Sequence, residues 1–158
     1  MNPRRVVAFR AAGVACAADP ADVERILRPG ALLPAPAAPP WIAGLVPSPR
    51  GLLAVVDVGR RLFPSRAGAP PRDLLAGTFD GLPIALGADE VEGLLPVEAL
   101  EPPAEGLPGE AAAFLRGAVL AGGERRLFLD VRRLAASEGG AARQITSGAA
   151  TARRDHSS

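Results

Sequence analysis

Any catalysis on this chain would have to be assembled from a short inventory. His156, the only histidine, stands in the C-terminal stretch where the apolar pattern has ended, so neither a charge-relay nor a metal-ligand role is expected of it. The only cysteine, Cys16, alternates with Val14 and Ala18 as residues of a strand do. It reads as a small buried apolar group, because a catalytic thiol needs a base beside it. Asp89, Glu90 and Glu92 form the densest acidic cluster, and such a set could hold a divalent cation. The same spacing suits a solvated turn matching Asp22 and Glu24, and that is the expectation. Asp57 and Asp130 each close an apolar run, a position where a carboxylate caps a turn or meets an arginine. Gly122-Gly123 lacks the lysine and Ser/Thr of a phosphate loop, and the Cys/His spacing of a metal site is absent. The inventory points away from an enzyme and implies no cofactor and no metal. What stands out is Arg50-Gly51, an arginine held between a proline turn and an apolar strand.

Short elements must position these residues. Val6–Arg10 and Val14–Ala18 flank Ala11-Ala12-Gly13 and read as strand, turn and strand. From Asp19 to Arg28, an N-cap aspartate, Pro20 at the first helical position and Val23, Ile26 and Leu27 at three- and four-residue spacing predict a short helix that stops at Pro29-Gly30. A proline-rich connector, Ala35 to Pro40, leads to a strand over Trp41–Val46, and Leu52–Val58 reads as a buried strand.

The second half replays this order. At one constant offset Gly13 meets Gly81, Val23-Glu24 meets Val91-Glu92, Ile26-Leu27 meets Leu94-Leu95 and Pro34 meets Pro102. At a slightly larger one Trp41-Ile42-Ala43-Gly44 meets Phe114-Leu115-Arg116-Gly117, and Val56-Asp57-Val58 meets Leu129-Asp130-Val131. Both copies close on two arginines and a leucine, Arg60-Arg61-Leu62 and Arg132-Arg133-Leu134. Two copies of one β-lobe follow, with residues 64–71 joining them. Regularly spaced short strands point to small barrels or a sandwich, since closure removes open sheet edges.

Composition agrees. Pro 17 and Gly 18 in 158 residues break long helices. A formal charge of +1 gives no field to attract nucleic acid or an anionic membrane. No apolar run approaches the roughly 20 residues of a membrane span. The Arg4-Arg5 start lacks a signal-peptide core, so a cytoplasmic location is expected. Residues 137–158 hold one large apolar residue, Ile145, and are expected to be a disordered tail behind a folded unit at 1–136, with lobes near 5–63 and 72–136.

One family joins these pieces. Val23-Glu24-Arg25-Ile26-Leu27, Pro39-Pro40-Trp41-Ile42-Ala43-Gly44, Ser48-Pro49-Arg50-Gly51 and Val55-Val56-Asp57-Val58 occur in the order and spacing of CheW-like domains of bacterial chemosensory systems, and Phe114-Leu115-Arg116-Gly117 repeats the pattern in the second half. The chain resembles this family over roughly residues 5–136. The resemblance implies an all-β fold of two intertwined five-stranded SH3-like barrel lobes with short helical turns. It also implies a non-enzymatic adaptor linking the cytoplasmic tip of methyl-accepting chemoreceptors to the regulatory domain of a CheA-type histidine kinase. It carries receptor contacts to Val23, Ile26, Arg50 and Gly51, and kinase contacts to Leu52, Leu53 and Val46. Three departures set this chain apart. Pro49 stiffens the approach to Arg50. Arg25 stands where many members are acidic. Between Leu100 and Gly106, Glu101 and small residues replace the basic and large aromatic residues of array-forming members. A second reading is therefore a member that binds receptors without kinase coupling or array building.

Overall fold

The computed structural model describes residues 4–49, 51–66, 68–79, 81–102, 107 and 109–136. The expected tail, 137–158, lies outside the described residues, as does Arg50.

Hairpin turns come first because glycine places them. Strands β1 (Arg5–Ala11) and β2 (Val14–Ala18) pair antiparallel, with Ala11 opposite Val14. The two residues between them, Ala12 and Gly13, have φ of 51° and 76°. Two positive φ values make the tight turn whose twist matches the strands. Ala12 adopts this conformation at a cost, and the Asp89 carboxylate offsets it by accepting from Ala12 N at 3.3 Å and Gly13 N at 2.8 Å. The equivalent hairpin in the second half, β6 (Asp73–Phe79) and β7 (Leu82–Ala88), turns through Gly81 at φ 78°. Gly122-Gly123 does the same between β10 (Leu115–Ala121) and β11 (Glu124–Leu129). The remaining strands are β3 (Arg25–Leu27), β4 (Ile42–Ser48), β5 (Gly51–Asp57), β8 (Glu90–Pro96) and β9 (Ala99–Glu101). Helices α1 (Val58–Leu62) and α2 (Gly109–Ala113) are single turns, and residues 131–136 are helical.

The strands form two sheets, ordered β8-β1-β2-β11-β10-β9 and β3-β6-β7-β5-β4. Each sheet takes one hairpin from the other half of the sequence. β1–β2 joins β8–β11 through parallel pairing of β2 with β11, and β6–β7 joins β3–β5 through parallel pairing of β7 with β5. The largest apolar cluster consequently mixes both halves, with Phe9, Leu45 and Leu62 packed with Ile84, Leu129 and Leu134. Smaller clusters line each sheet, one around Leu53, Val55 and Leu74, the other around Val6, Val119 and Phe128.

The internal repeat reappears atom for atom where the strands end. Asp57 N donates to Trp41 O at 2.7 Å, and Asp130 N donates to Phe114 O at 2.7 Å. Asp57 Oδ1 accepts from Arg60 N at 3.2 Å, and Asp130 Oδ1 accepts from Arg133 N at 3.0 Å, so each carboxylate caps the helical turn that follows. The halves meet at Arg61, whose guanidinium lies 4.5 Å from the Trp41 ring centroid and 4.8 Å from that of Phe114. Each such contact is worth roughly 0.5–1 kcal/mol. Arg61→Ala is expected to lower the unfolding free energy by about 1–2 kcal/mol in urea titration, and Arg61→Lys by less, because an ammonium stacks more weakly than a planar guanidinium.

Two expectations are corrected. The helix predicted over Asp19–Arg28 is a 3-10 turn at Pro20–Asp22, capped by Asp19 Oδ1 accepting from Ala21 N at 3.0 Å. It ends at Val23, which is extended at φ −114°, ψ 114°. The next residues form β3 against β6, with Ile26 opposite Leu75. Spacing alone fits a helix, but the edge of β6 offers backbone partners that three residues of an isolated helix end could not match. The Asp89–Glu92 cluster is solvent-exposed as expected, but only Asp89 lies in a bend, while Glu90 and Glu92 belong to β8. Asp89 braces the β1–β2 turn, and Glu92 on β8 is ion-paired to Arg126 at 3.0 Å and Arg10 at 3.2 Å. Among the described residues no group of three His, Cys, Asp or Glu side chains could hold a metal ion.

Candidate partner-docking groove

Strand alternation builds the site. Arg25 and Leu27 on β3 face one way and Ile26 the other. On the Arg25 side, β3, the β4–β5 hairpin and the tip of β6–β7 enclose a groove of about 130 Å³ lined by Arg25, Leu27, Ser48, Leu53, Thr78 and Pro83, among others. Gly77 lets the preceding turn sit close over β6, since a Cβ there would lie 2.6 Å from Asp22 O. A second, more polar hollow of about 210 Å³ adjoins the first, sharing Glu24 and Thr78 and extending to Asp22, Phe79 and Arg132. Asp22 is buried; its Oδ1 accepts from Arg132 Nε at 3.2 Å, and its Oδ2 has no partner among the described residues. Arg132 comes from the second half of the sequence, so this end of the groove is a joint between the two copies.

The sequence-derived contact residues fall on both faces. Val23 is half-buried and packs on the shared core. Ile26 is 53% exposed on the face away from the groove. Gly51 opens β5, exposed at φ 108° with nothing within 4 Å of a would-be Cβ. Leu52 is half-buried against the shared core. Leu53 and Val46 sit opposite one another across β4 and β5, at 5% and 6% exposure, within the cluster beneath the groove. They shape the surface from below and offer little area of their own. The structure thus brings Leu53 together with Arg25 and Leu27, and separates these from Ile26.

The groove holds neither histidine nor cysteine. Cys16 is buried elsewhere, and burial pushes its thiol up to about 12. It stays protonated at neutral pH, which removes it as a nucleophile. Both volumes fall below the roughly 300–1,000 Å³ of a small-molecule site. Among the described residues no helix is long and apolar enough to cross a membrane.

Two sheets that trade equivalent hairpins, with matched caps at Asp57 and Asp130, are the frame into which the comparisons fit. The family model of the CheW-like domain matches residues 5–139. The chain belongs to the CheW-like family. Among solved structures, this CheW-like protein is similar to the scaffolding protein TtCheW from Thermoanaerobacter tengcongensis, with a TM-score of 0.68 and 20% identity, covering 82% of this chain and 85% of that one. Agreement at that identity concerns the fold: mostly β, in two sheets, of CheW type. No curated protein sequence matches the chain. The CheW-like fold is one of scaffolds and adaptors in chemotaxis signalling.

Two strongly held side chains escaped the reading of the sequence. Arg126 is 1% exposed on β11, and Asp73 is equally buried at the start of β6. The signal for the first was present: an arginine embedded in Glu124–Leu129, a run otherwise ending in Leu-Phe-Leu, needs a buried acceptor or an outward face, and only the pairing of β11 with β2 decides between them.

Proposed function

We propose that this CheW-like protein is a non-enzymatic adaptor that joins the cytoplasmic tip of a methyl-accepting chemoreceptor to the regulatory domain of a CheA-type histidine kinase, working in the cytoplasm. The observation that carries the proposal is the family match over residues 5–139, on a chain whose described concavities suit side chains rather than a substrate. Adaptors act through contact area and a few placed charges, and the chain's exposed residues supply both near β3 and the β4–β5 turn. In this reading Val23, Ile26, Arg50 and Gly51 serve the receptor. Leu52 serves the kinase, with Leu53 and Val46 setting the contour of the surface around it.

The test is calorimetric titration against a receptor-tip fragment and, separately, against the kinase regulatory domain of the same organism. Binding to both with Kd near 1 μM, about −8 kcal/mol each, is expected. Arg50→Ala should weaken the receptor titration roughly tenfold and leave the kinase titration unchanged. Receptor binding without kinase binding would establish the uncoupled-adaptor reading instead, and binding to neither would end both.

A further inference from the structure

We propose that Arg132 and Arg116, both from the second half of the sequence, are positioning residues for β3. They clamp the 3-10 turn Pro20–Asp22 that leads into it, and so let the second half govern binding in the first. The binding consequence rests on the adaptor reading, whereas the clamp is a property of this chain alone. The turn begins and ends on an acidic side chain, and each is ion-paired across the halves. Asp22 Oδ1 meets Arg132 Nε at 3.2 Å, and Asp19 Oδ2 meets Arg116 Nη1 at 3.6 Å. Arg116 is itself seated over the Phe128 ring, 5.5 Å from its centroid, beside the second half's own apolar cluster.

A clamp matters here because backbone pairing holds β3 weakly. The strand is three residues long and stands at the edge of its sheet, against β6. Short edge elements with few backbone bonds are the first to open. Asp22 N donates to Asp19 O at 3.0 Å, Val23 N to Pro20 O at 3.2 Å and Glu24 N to Ala76 O at 2.8 Å, closing the entry to the strand. The counterpart in the second half is built differently. There β8 is seven residues long, and Asp89, at the position matching Ala21, accepts from the amides of Ala12 and Gly13. Each turn is thus held by the opposite half, one through backbone amides and the other through arginine side chains. The arginine clamp is the releasable one. The Arg132 side chain is 75% exposed, and its bond to Asp22 leaves Oδ2 buried with no partner among the described residues. Both residues line the polar hollow of about 210 Å³, which gives them room to part. Without Arg132, Asp22 is a buried carboxylate lacking its cation, and opening of the turn returns it to water. Val23 and Ile26 then lose their fixed place.

The experiment follows amide hydrogen exchange by NMR in wild type, Arg132→Ala, Arg132→Lys, Arg116→Ala and the double alanine variant, and titrates the receptor-tip fragment into each. An exposed ion pair shifts an equilibrium by up to about fivefold, and stripping a buried carboxylate of its cation shifts it further. Exchange at Asp22, Val23 and Glu24 should therefore quicken about tenfold in Arg132→Ala and about threefold in Arg116→Ala, with amides of β1 and β11 changed by less than about twofold. Arg132→Lys restores a cation and should recover most of the protection. Because the apparent Kd is the intrinsic value divided by the closed fraction, receptor binding should weaken about threefold in Arg132→Ala and about tenfold in the double variant. Unchanged exchange at the turn in Arg132→Ala would overturn the proposal even if binding fell, since Arg132 would then be a direct contact. Acceleration spread evenly over β1 and β11 would overturn it too, by reducing the arginines to a role in global stability. So would a double variant that binds within about twofold of wild type. Wild type failing to bind the receptor fragment would bring down the adaptor reading, and the exchange pattern would then decide the clamp by itself.

Discussion

Arg126→Ala is expected to lower the unfolding free energy by about 2–3 kcal/mol, the cost of removing a buried guanidinium and its hydrogen bonds while the partner carboxylates of Glu92 and Glu124 stay partly solvated. Against a total stability of roughly 5–15 kcal/mol, that is a large fraction. Arg126 Nη1 and Nη2 donate to the two oxygens of Glu92 at 3.1 and 3.0 Å, and Nη2 also reaches Glu124 at 3.3 Å. Nε donates to Ala121 O at 3.1 Å, and Nη1 to Cys16 O at 3.4 Å. One guanidinium thus ties β8, β2 and β11 together, and Arg10 on β1 joins through Glu92 and Glu124 at 3.2 and 2.6 Å. Truncation takes one donor from Ala121 O and Cys16 O and the nearest cation from Glu92, in a sheet whose two halves come from opposite ends of the chain. The double variant Arg126→Met with Glu92→Leu should recover most of the loss, because removing both charges also removes the penalty of burying them. Urea unfolding measures both. A single-variant loss under about 1 kcal/mol would show that the network contributes little.

Asp73→Ala is expected to cost about 2–3 kcal/mol. Its carboxylate is 2% exposed, accepts from Arg28 Nε at 2.9 Å and Val91 N at 2.7 Å, and so fastens the β3 end of one sheet to β8 of the other. Burial raises its pKa, but the Arg28 hydrogen bond, the Val91 N–H and the charges of Arg28 and Arg72 together outweigh it, holding the carboxyl below the usual range. Glu92 is also held low, chiefly by its hydrogen bond from Arg126 and by the charges of Arg126 and Arg10, against the opposing effect of burial. A carboxylate whose folded pKa is depressed stabilises the protein above its unfolded value, near 4, and that contribution disappears as pH falls through the folded pKa. The difference between wild type and Asp73→Asn should accordingly be flat above about pH 5 and shrink on acidification. A gap that widens as pH falls would contradict the assignment of Asp73 as the ionised partner.

Much of the architecture was legible in the residues. Gly13 and Gly81 mark two hairpin turns, each requiring a backbone conformation that a side chain resists, and local chemistry of that kind can be read without knowing what lies across the fold. Asp57 and Asp130 could be read as caps for the same reason. The order of matching segments announced two copies of one unit, since each copy must bury the same face. The candidate site was less legible. Arg132 was visible as a charge, but its pairing with Asp22 is a fact about segments brought together from the two halves. Ile26 and Arg25 are neighbours in sequence that end on opposite faces because residues 25–27 became a strand instead of the helix their spacing allows.

That difference has a single physical source. Turns, caps and apolar alternation depend on interactions within a few residues, and the sequence by itself determined them along with the repeat. The placement of the β1–β2 hairpin against β11 and of β6–β7 against β5, the conversion of Arg25–Leu27 into an edge strand, and the burial of Arg126 and Asp73 depend on pairings between distant segments. Backbone groups at a sheet edge accept any strand that can also bury its apolar face, and only the assembled tertiary structure selects which one does.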